Sequence, residues 1–480
     1  MRFVFVAVLL VACSTRQNPN VCCENEAQCA EVGFDDLQPC GVGQVCGADH
    51  TCIAAECTTN SECGDDAPVC RSGFCESMCV GDEDCAGVAG RTHCSNMACV
   101  ECSANEHCSA AAPYCDAEDL ACRGCERDSE CASGVCIEID ATCAEEVRVV
   151  YAAGTTAATT GECGRNAPCK LEYALTKVRS DRDVVHLTTG TASLPPSTFD
   201  VIAGLVIDGA PTEISTSGSV TFAISSSGTL TLSSVLLDTG FHSASTGGVT
   251  RLFDVQIDRS RIETNGGTLV IDQSAIMGDQ VNELISCSGG GTFSLHRSQM
   301  QGAIVGSNGC AATIARNRFS TAGTATVLRT MGGKAIVENN VFVTSDSGTD
   351  MVYMLGGVGS EFRFNTVVST NSTVYSASAL YCDAAIGISN NIFAFNSTNP
   401  IQGTGTCNVT SSLFDTQGTG DAGTNLVGDR AEFFVALAQT DFHLAMNSPA
   451  RNAGQSGLVD VDLEGTPRDA TPDLGAYEMP

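Results

Sequence analysis

The chain has 480 residues, room for two or three domains, and only 17% of them are charged. It contains 49 Gly and no Trp, a composition typical of all-β repeats and unlike that of helical or disordered proteins. The formal net charge of −32 repels phosphate backbones and anionic lipid headgroups. Composition therefore argues against nucleic-acid binding and leaves cationic partners and divalent ions open.

Residues 1–13 form a predicted targeting segment. Arg2 precedes an apolar run at 3–12 that is too short to span a membrane, and Cys13 follows a small residue. The segment resembles a bacterial lipoprotein signal with its lipobox, which implies cleavage before Cys13, lipidation of that cysteine, and a membrane anchor. Ser14 favours the outer membrane under this resemblance. The alternative is an ordinary secretory signal that contains a cysteine; in either case 14–21 is a polar linker.

Residues 22–145 are rich in cysteine, and removing Cys13 from the total of 29 leaves an even number for disulfides. Units of four cysteines begin at Cys57, Cys79, Cys102 and Cys125. Large apolar side chains are sparse here, so two disulfides per unit would replace the missing core. Four cysteines allow three pairings, and the sequence does not choose among them. The units resemble, loosely, the short cysteine-repeat modules of bacterial surface proteins.

Two metal alternatives accompany this region. Cys-x-x-Cys pairs at Cys99/Cys102 and Cys122/Cys125 would suit zinc, although export makes disulfides the favoured interpretation. Acidic runs at 65–66 and 82–84 are candidate calcium ligands without an ordered calcium-binding loop. The simpler interpretation is a solvated acidic stalk, so no cofactor is predicted and calcium is kept as an alternative.

Residues 146–440 are predicted to form a right-handed parallel β-helix, which makes the fold class all-β. A short sequence pattern recurs at intervals of about one solenoid coil. It consists of an apolar residue, two variable residues, a polar residue at a corner of the coil, one variable residue and a second apolar residue. The corner residues would stack into a ladder; scattered hairpins are the alternative. The predicted ladder is Ser260, Ser274, Ser298, Asn317, Asn340, Asn365, Asn391 and Ser412. The short step from Ile257 to Ile271 is interpreted as two faces of one coil.

The start of this region contains a strand, a Gly-rich loop, the pair Cys163 and Cys169, and an amphipathic segment at 170–179. This order resembles the entry to bacterial pectate-lyase-like β-helix proteins, which implies that a short helix caps the open end of the solenoid. We expect Cys163 and Cys169 to pair.

Two further pairs, Cys287/Cys310 and Cys382/Cys407, are each separated by about one coil. Coils stack about 4.8 Å apart, which lies in the Cα range that a disulfide accepts. We predict two coil-to-coil disulfides, with buried free thiols as the alternative.

Residues 441–480 are similar to the closing segment of bacterial β-helix proteins of the choice-of-anchor Q type, except that Arg451 departs from the pattern. Its acidic residues, Asp460, Asp462, Asp473 and Glu478, could bind a cation. The favoured interpretation is that they pair with Arg468 and cap backbone amides.

The sequence contains little that points to a catalytic site. The only suggestive polar set of the solenoid is Asp258, Asp272, His296 and Arg297, for which a solvated face is the simpler explanation. No catalytic residue is predicted. The favoured hypothesis is a monomeric, lipid-anchored outer-membrane protein whose β-helix binds a polysaccharide or another cell-surface molecule. A calcium-dependent polysaccharide lyase or another carbohydrate-active enzyme is the alternative.

Overall fold

A computed structural model describes residues 44–46, 52–64, 67, 69–71, 74–76, 78–154, 157–188, 190–279, 282–323, 326–345, 350–371, 377–383, 386–404, 407–415 and 424–479. The chain divides into two compact units, Met1–Glu126 and Arg127–Pro480. Cys13 lies outside the described residues, as do residues 22–40. No helix in the described ranges is long and apolar enough to cross a membrane.

The first unit is a series of small antiparallel hairpins fixed by disulfides, as the sequence predicted for this region. In the repeats that begin at Cys57, Cys79 and Cys102 the first cysteine bonds to the third and the second to the fourth, which selects one of the three pairings. The bonds are Cys57–Cys70, Cys63–Cys75, Cys79–Cys94, Cys85–Cys99, Cys102–Cys115 and Cys108–Cys122. The cysteines of the candidate zinc pairs are therefore engaged in disulfides, Cys125 included.

The strands of this unit are Gln44–Cys46, Cys52–Ala54, Val69–Arg71, Phe74–Glu76, His93–Ser95, Ala98–Val100, Tyr114–Cys115 and Cys122–Arg123. Its short 3-10 turns are Asn60–Glu62, Asp82–Cys85 and Asn105–His107. The fourth repeat extends into the second unit, where it has the turn Asp128–Glu130, the strands Cys136–Ile137 and Thr142–Cys143, and the bond Cys131–Cys143.

A feature shared by all four repeats lies three residues after the first cysteine. Asn60, Asp82, Asn105 and Asp128 each accept a hydrogen bond from the backbone N–H of the third cysteine, at 2.6, 2.7, 2.9 and 2.9 Å. The side chain thereby fixes the turn to the hairpin that follows it.

The second unit contains the predicted right-handed parallel β-helix, with about nine turns, which confirms the fold class. Each coil contributes strands to three faces. The first-face strands are Val149–Ala153, Val184–Leu187, Val249–Phe253, Thr268–Asp272, Thr292–His296, Ala311–Ala315, Ala335–Glu338, Ser360–Arg363, Ile386–Ser389 and Asn408–Thr410, with Cys169–Lys170 beside the first of them. Two long strands, Gly204–Thr216 and Thr229–Leu237, run through both the first and the second face.

The second-face strands are Thr191–Leu194, Gln256–Asp258, Ala275–Met277, Gln299–Gln301, Arg318–Thr321, Val341–Thr344, Thr366–Ser369, Ile392–Ala394, Leu413–Phe414 and Leu426–Val427. The third-face strands are Ser197–Val201, Val220–Ile224, Phe241–Thr246, Arg261–Asn265, Glu283–Ser288, Ile304–Asn308, Leu328–Met331, Val352–Leu355, Leu380–Cys382 and Ile401–Gly403. A final antiparallel pair is Phe434–Ala436 with Asp441–Leu444.

The interior of the solenoid is one continuous apolar cluster because inward positions of successive coils lie directly above one another. Aromatic rings stack along the axis in this interior: Phe319 on Phe342 at 4.7 Å between ring centroids, and Phe393 on Phe414 at 5.0 Å. Burial of this column supplies the main driving force for stacking the coils.

The polar corner between the first and second faces forms the ladder. Each ladder side chain accepts a hydrogen bond from the backbone N–H of the ladder residue one coil earlier, with N···O distances of 2.8–3.2 Å along the file Ser274, Ser298, Asn317, Asn340, Asn365, Asn391 and Ser412. Asn425 adds a last rung by accepting from the Ser412 N–H at 3.0 Å. All the ladder side chains of the predicted file are buried.

Two details differ from the prediction. Ser260 is not in the ladder: it follows the second face, one corner later, and its hydroxyl donates to the Asp238 carbonyl. The ladder position of that coil is Val255, whose N–H donates to Ser274 Oγ at 3.2 Å. The sharp bend also falls on the residue before each ladder position, such as Asn339 with φ +52° and Phe364 with φ +52°, and not on the ladder residue itself.

The short step from Ile257 to Ile271 does join two faces, but these faces belong to successive coils, because Val255 and Ser274 are ladder positions one coil apart. Ile257 pairs with Ile276 on the second face, while Ile271 pairs with Leu252 on the first. The same short sequence pattern therefore occurs at two different corners of the solenoid. For this reason Ser260 was wrongly assigned to the ladder.

The three disulfides anticipated in this unit are present in the structure. Cys163 bonds to Cys169 beside the helix Leu171–Leu175, which is shorter than the amphipathic segment 170–179 and buries Leu171 and Ala174 in the first coils. Cys287–Cys310 and Cys382–Cys407 span 23 and 25 residues, and each joins neighbouring coils.

The C-terminal segment 428–479 lies along the outside of the second face. Val341, Val368 and Ile392 point outward there and are fully buried beneath Phe434 and Phe442. The segment also bonds to four successive coils, through Arg316, Asn339, Thr366 and Asn390. It therefore braces the side of the solenoid instead of only closing its end.

Candidate functional site

Of the four polar residues that the sequence singled out on the solenoid, the structure brings three together and separates Asp258. Asp272 and His296 occupy neighbouring rungs on the outer side of the first face. Arg297 Nε donates to Asp272 Oδ1 at 2.8 Å. Asp258 lies elsewhere, at the end of a second-face strand, where it bonds to Arg259 at 3.0 and 3.1 Å.

The outward file continues with Glu338 and Arg363. Arg363 Nε donates to Glu338 Oε2 at 2.9 Å, and its other end contacts Glu361 at 2.6 Å. Burial lowers the pKa of His296, so its imidazole is neutral at pH 7. The acidic side chains of this file are thus held by arginines, and they are not gathered around a shared vacant position as calcium ligands would be.

A second surface feature lies on the third face. Tyr353 and Tyr381 occupy neighbouring coils and stack with 4.8 Å between ring centroids and 9° between planes. Arg329, one coil earlier, places its guanidinium 5.5 Å from the Tyr353 ring centroid, and Gln402 follows one coil later. These four side chains form what we call the tyrosine strip, whose members are exposed or half-buried.

A third feature joins the fourth cysteine repeat to the first coils. His186 Nδ1 lies 3.1 Å from Asp208 Oδ2, and His186 Nε2 lies 4.0 Å from Asp128 Oδ2. His186 and Asp208 are buried, with 8% and 3% exposure. Burial raises the pKa of Asp208, and it also raises the pKa of Glu138, whose carboxylate accepts from Ser234 Oγ at 2.9 Å. We call Asp128, His186 and Asp208 the histidine cluster.

The sequence did not reveal the histidine cluster because its members are 80 residues apart in the chain, from 128 to 208. One signal was available: Asp128 occupies the Asn/Asp position common to all four repeats. The partner side chains depend on the strand register, in which His186 lies beside Asp208 and Asp208 beside Ser233.

The acidic residues of the C-terminal segment act within the fold. Arg468 Nη1 donates to Glu478 Oε2 at 2.9 Å, and both side chains are almost completely buried. Asp462 accepts from the N–H groups of Glu464, Thr466 and Glu478, and Asp473 accepts from those of Asn452 and Met479. In the acidic run 82–84, Asp82 and Asp84 likewise accept backbone N–H groups, those of Cys94 and Val80.

Comparison with known proteins finds similarity at the level of structure. No protein-family model matches the sequence, and no curated protein matches it. Among solved structures, the crystal structure of pectate lyase Pel9A is similar with a TM-score of 0.45 and 15% sequence identity, covering 74% of this chain and 100% of that chain. At this level the similarity concerns the fold and carries no inference about activity.

Proposed function

We propose that this chain is a lipid-anchored protein of the cell surface whose β-helix binds a polysaccharide without cleaving it. In this proposal Cys13 is lipidated, the outer membrane holds the anchor, the cysteine repeats form an acidic stalk, and the protein acts as a monomer without a required cofactor. Residues 441–480, which resemble the choice-of-anchor Q closing segment, have the structural role of a brace.

The observation that carries the proposal is the pairing of the charges on the first face. A lyase needs carboxylates free to hold calcium and a basic side chain free to remove a proton. Here Arg297 is bonded to Asp272, and Arg363 is bonded to Glu338 and Glu361. An outer face whose carboxylates are already paired with arginines is better suited to binding than to holding the calcium that such a lyase requires.

The net charge indicates the kind of polysaccharide. At −32 the protein repels a polyanionic chain such as a polyuronate, so a neutral polymer is the favoured ligand. The tyrosine strip offers two rings, a guanidinium and an amide over successive coils, a combination that can contact sugar C–H groups and donate to sugar hydroxyls.

The test is a glycan array followed by turnover assays on the ligands that bind. We expect neutral glycans to bind without the appearance of new reducing ends or unsaturated sugars. The double variant Tyr353→Ala/Tyr381→Ala should lose binding, whereas Tyr173→Ala within the capping helix should retain it. Calcium-dependent release of unsaturated product would instead support the lyase alternative, with acidic polysaccharides as the substrates.

The anchor has its own test. Expression with a radiolabelled fatty acid should label the wild-type chain and leave a Cys13→Ser variant unlabelled and released from membranes. Release of both proteins without label would support the ordinary secretory signal.

A further inference from the structure

The histidine cluster is distinct from both outer-face features. It lies where the fourth cysteine repeat packs against the first coils, beside the apolar contacts of Val135, Ile137 and Tyr151. One ligand atom from each of Asp128, His186 and Asp208 can be chosen so that all three lie within 4.8 Å of one another.

The charges of this cluster are not balanced by protein cations. Within the described residues, the ion pairs of Asp128 and Asp208 involve only His186. Glu138 adds a further carboxylate close enough to feel both aspartates, and the carboxylate of Asp254 accepts from the same Ser234 hydroxyl as Glu138. Buried carboxylates are costly unless a cation compensates them, and a protonated imidazole supplies a single positive charge.

A second observation points to a missing partner. The Ser233 side chain follows Asp208 in the outward file, one coil later, so it lies beside the cluster. Yet Ser233 is fully buried, and its Oγ makes no hydrogen bond of ordinary length and angle to any described protein atom. Buried hydroxyls in native proteins usually have a partner, and a metal-bound water would provide one.

The arrangement of Asp128 is compatible with metal binding. Its Oδ1 is engaged by the Cys136 N–H, whereas Oδ2 is the atom directed towards His186. A carboxylate that is oriented by one oxygen and free at the other is a typical ligand geometry.

We propose that Asp128, His186 and Asp208 bind one divalent transition-metal ion of the zinc class, with a water molecule in the fourth position. Imidazole combined with carboxylates suits zinc, whereas calcium sites are built from oxygen ligands. The ion would join the fourth cysteine repeat to the first coils of the solenoid. The competing account is a protonated His186 that bridges the two aspartates without any metal.

The experiment uses the full chain in detergent, stripped with EDTA and dialysed. Titration with zinc, calcium and magnesium chloride is followed by calorimetry, and bound metal is counted by elemental analysis. We expect one zinc site per chain that Asp208→Asn and His186→Gln weaken by about 100-fold, and that Ser233→Ala weakens by about 10-fold. Asp140→Asn, on the exposed Arg251 ion pair of the same repeat, is the matched control and should bind zinc normally.

Measurements on the unmutated chain protect the test from misfolded variants. Cobalt(II) added to the stripped wild-type protein should give the visible absorption of a tetrahedral site and be displaced by zinc. The proposal is overturned if the wild-type chain binds no zinc, if the cluster variants bind zinc as tightly as the control, or if calcium displaces zinc.

Discussion

Removing one side-chain amide from the ladder should destabilise the solenoid far more than the small size of the removed group suggests. Asn340 is fully buried, and its Oδ1 accepts from the Asn317 backbone N–H at 2.9 Å. Its Nδ2 donates to the carbonyls of Ile314 and Glu338 at 2.8 and 2.9 Å. Asn340→Ala therefore leaves the backbone N–H and one side-chain N–H of Asn317 without an acceptor, and it deprives two carbonyls of a donor.

The magnitude follows from the groups left unsatisfied. Each buried N–H that loses its acceptor costs about 1–3 kcal/mol, so the two N–H groups of Asn317 put the cost of Asn340→Ala at roughly 2–6 kcal/mol. Asn340→Ser should cost less, about 1–3 kcal/mol. Ser298, in the same file, shows that a hydroxyl can accept from the previous rung at 3.0 Å and donate to the carbonyl two residues earlier.

Hydrogen exchange is the appropriate assay because solenoids open in parts, so that a single unfolding midpoint is poorly defined. The amide of Asn317 should lose the most protection in the alanine variant and an intermediate amount in the serine variant. Asn282→Ala, in an exposed loop of the same unit, is the control and should leave exchange at Asn317 unchanged. Equal losses in the two ladder variants, or a loss below about 1 kcal/mol for alanine, would refute the reasoning.

Three further outcomes are expected. Replacing Cys382 and Cys407 by serine opens a closed loop of about one coil, which should lower the free energy of unfolding by about 3 kcal/mol in thermal or denaturant unfolding. Arg468→Ala leaves the Glu478 carboxylate buried without its cation, so the C-terminal segment should loosen at a cost of about 3–5 kcal/mol and become sensitive to limited proteolysis. Thr250→Val replaces a fully buried hydroxyl that has no hydrogen-bond partner among the described residues, so it should raise the thermal midpoint, with a gain of about 1 kcal/mol.

Each of these has a contradicting result. The cysteine variant would be inconsistent with the loop-closure argument if reducing agent destabilised it as much as the wild-type chain. Unchanged proteolysis of the Arg468 variant would show that apolar contacts alone hold the segment. A lower midpoint for Thr250→Val would indicate that the hydroxyl is satisfied by buried water.

The local features of the solenoid were predictable because each is written within a few residues. The ladder from Ser274 to Ser412 follows from a corner repeated once per coil, and the coil length itself suggested Cys287–Cys310. Ser260 was misassigned because the same short sequence pattern occurs at two different corners of the solenoid, and only the pairing of Ile257 with Ile276 separates them.

The packing on the outside of the solenoid was not predictable in the same way. Strand Val341–Thr344 is apolar on both sides, a signal that something covers it, but the sequence does not state that Phe434 and Phe442 do so. The histidine cluster depends on contacts between distant residues, since Asp128 must meet two strands whose relative register is fixed only by the coils. Secondary-structure patterns carry no information of that kind.

The C-terminal segment and the fourth cysteine repeat change the order in which the coils of the solenoid can unfold. A solenoid of nearest-neighbour coils frays from its ends one coil at a time. Here the C-terminal segment forms hydrogen bonds to four successive coils, from Arg316 to Asn390. Towards the opposite end of the solenoid, the fourth cysteine repeat forms a hydrogen bond to Arg251. Opening should therefore begin in the middle, around Thr268–His296, where Cys287–Cys310 supplies a covalent stop. Under mechanical load the middle coils of the solenoid would open before its end coils.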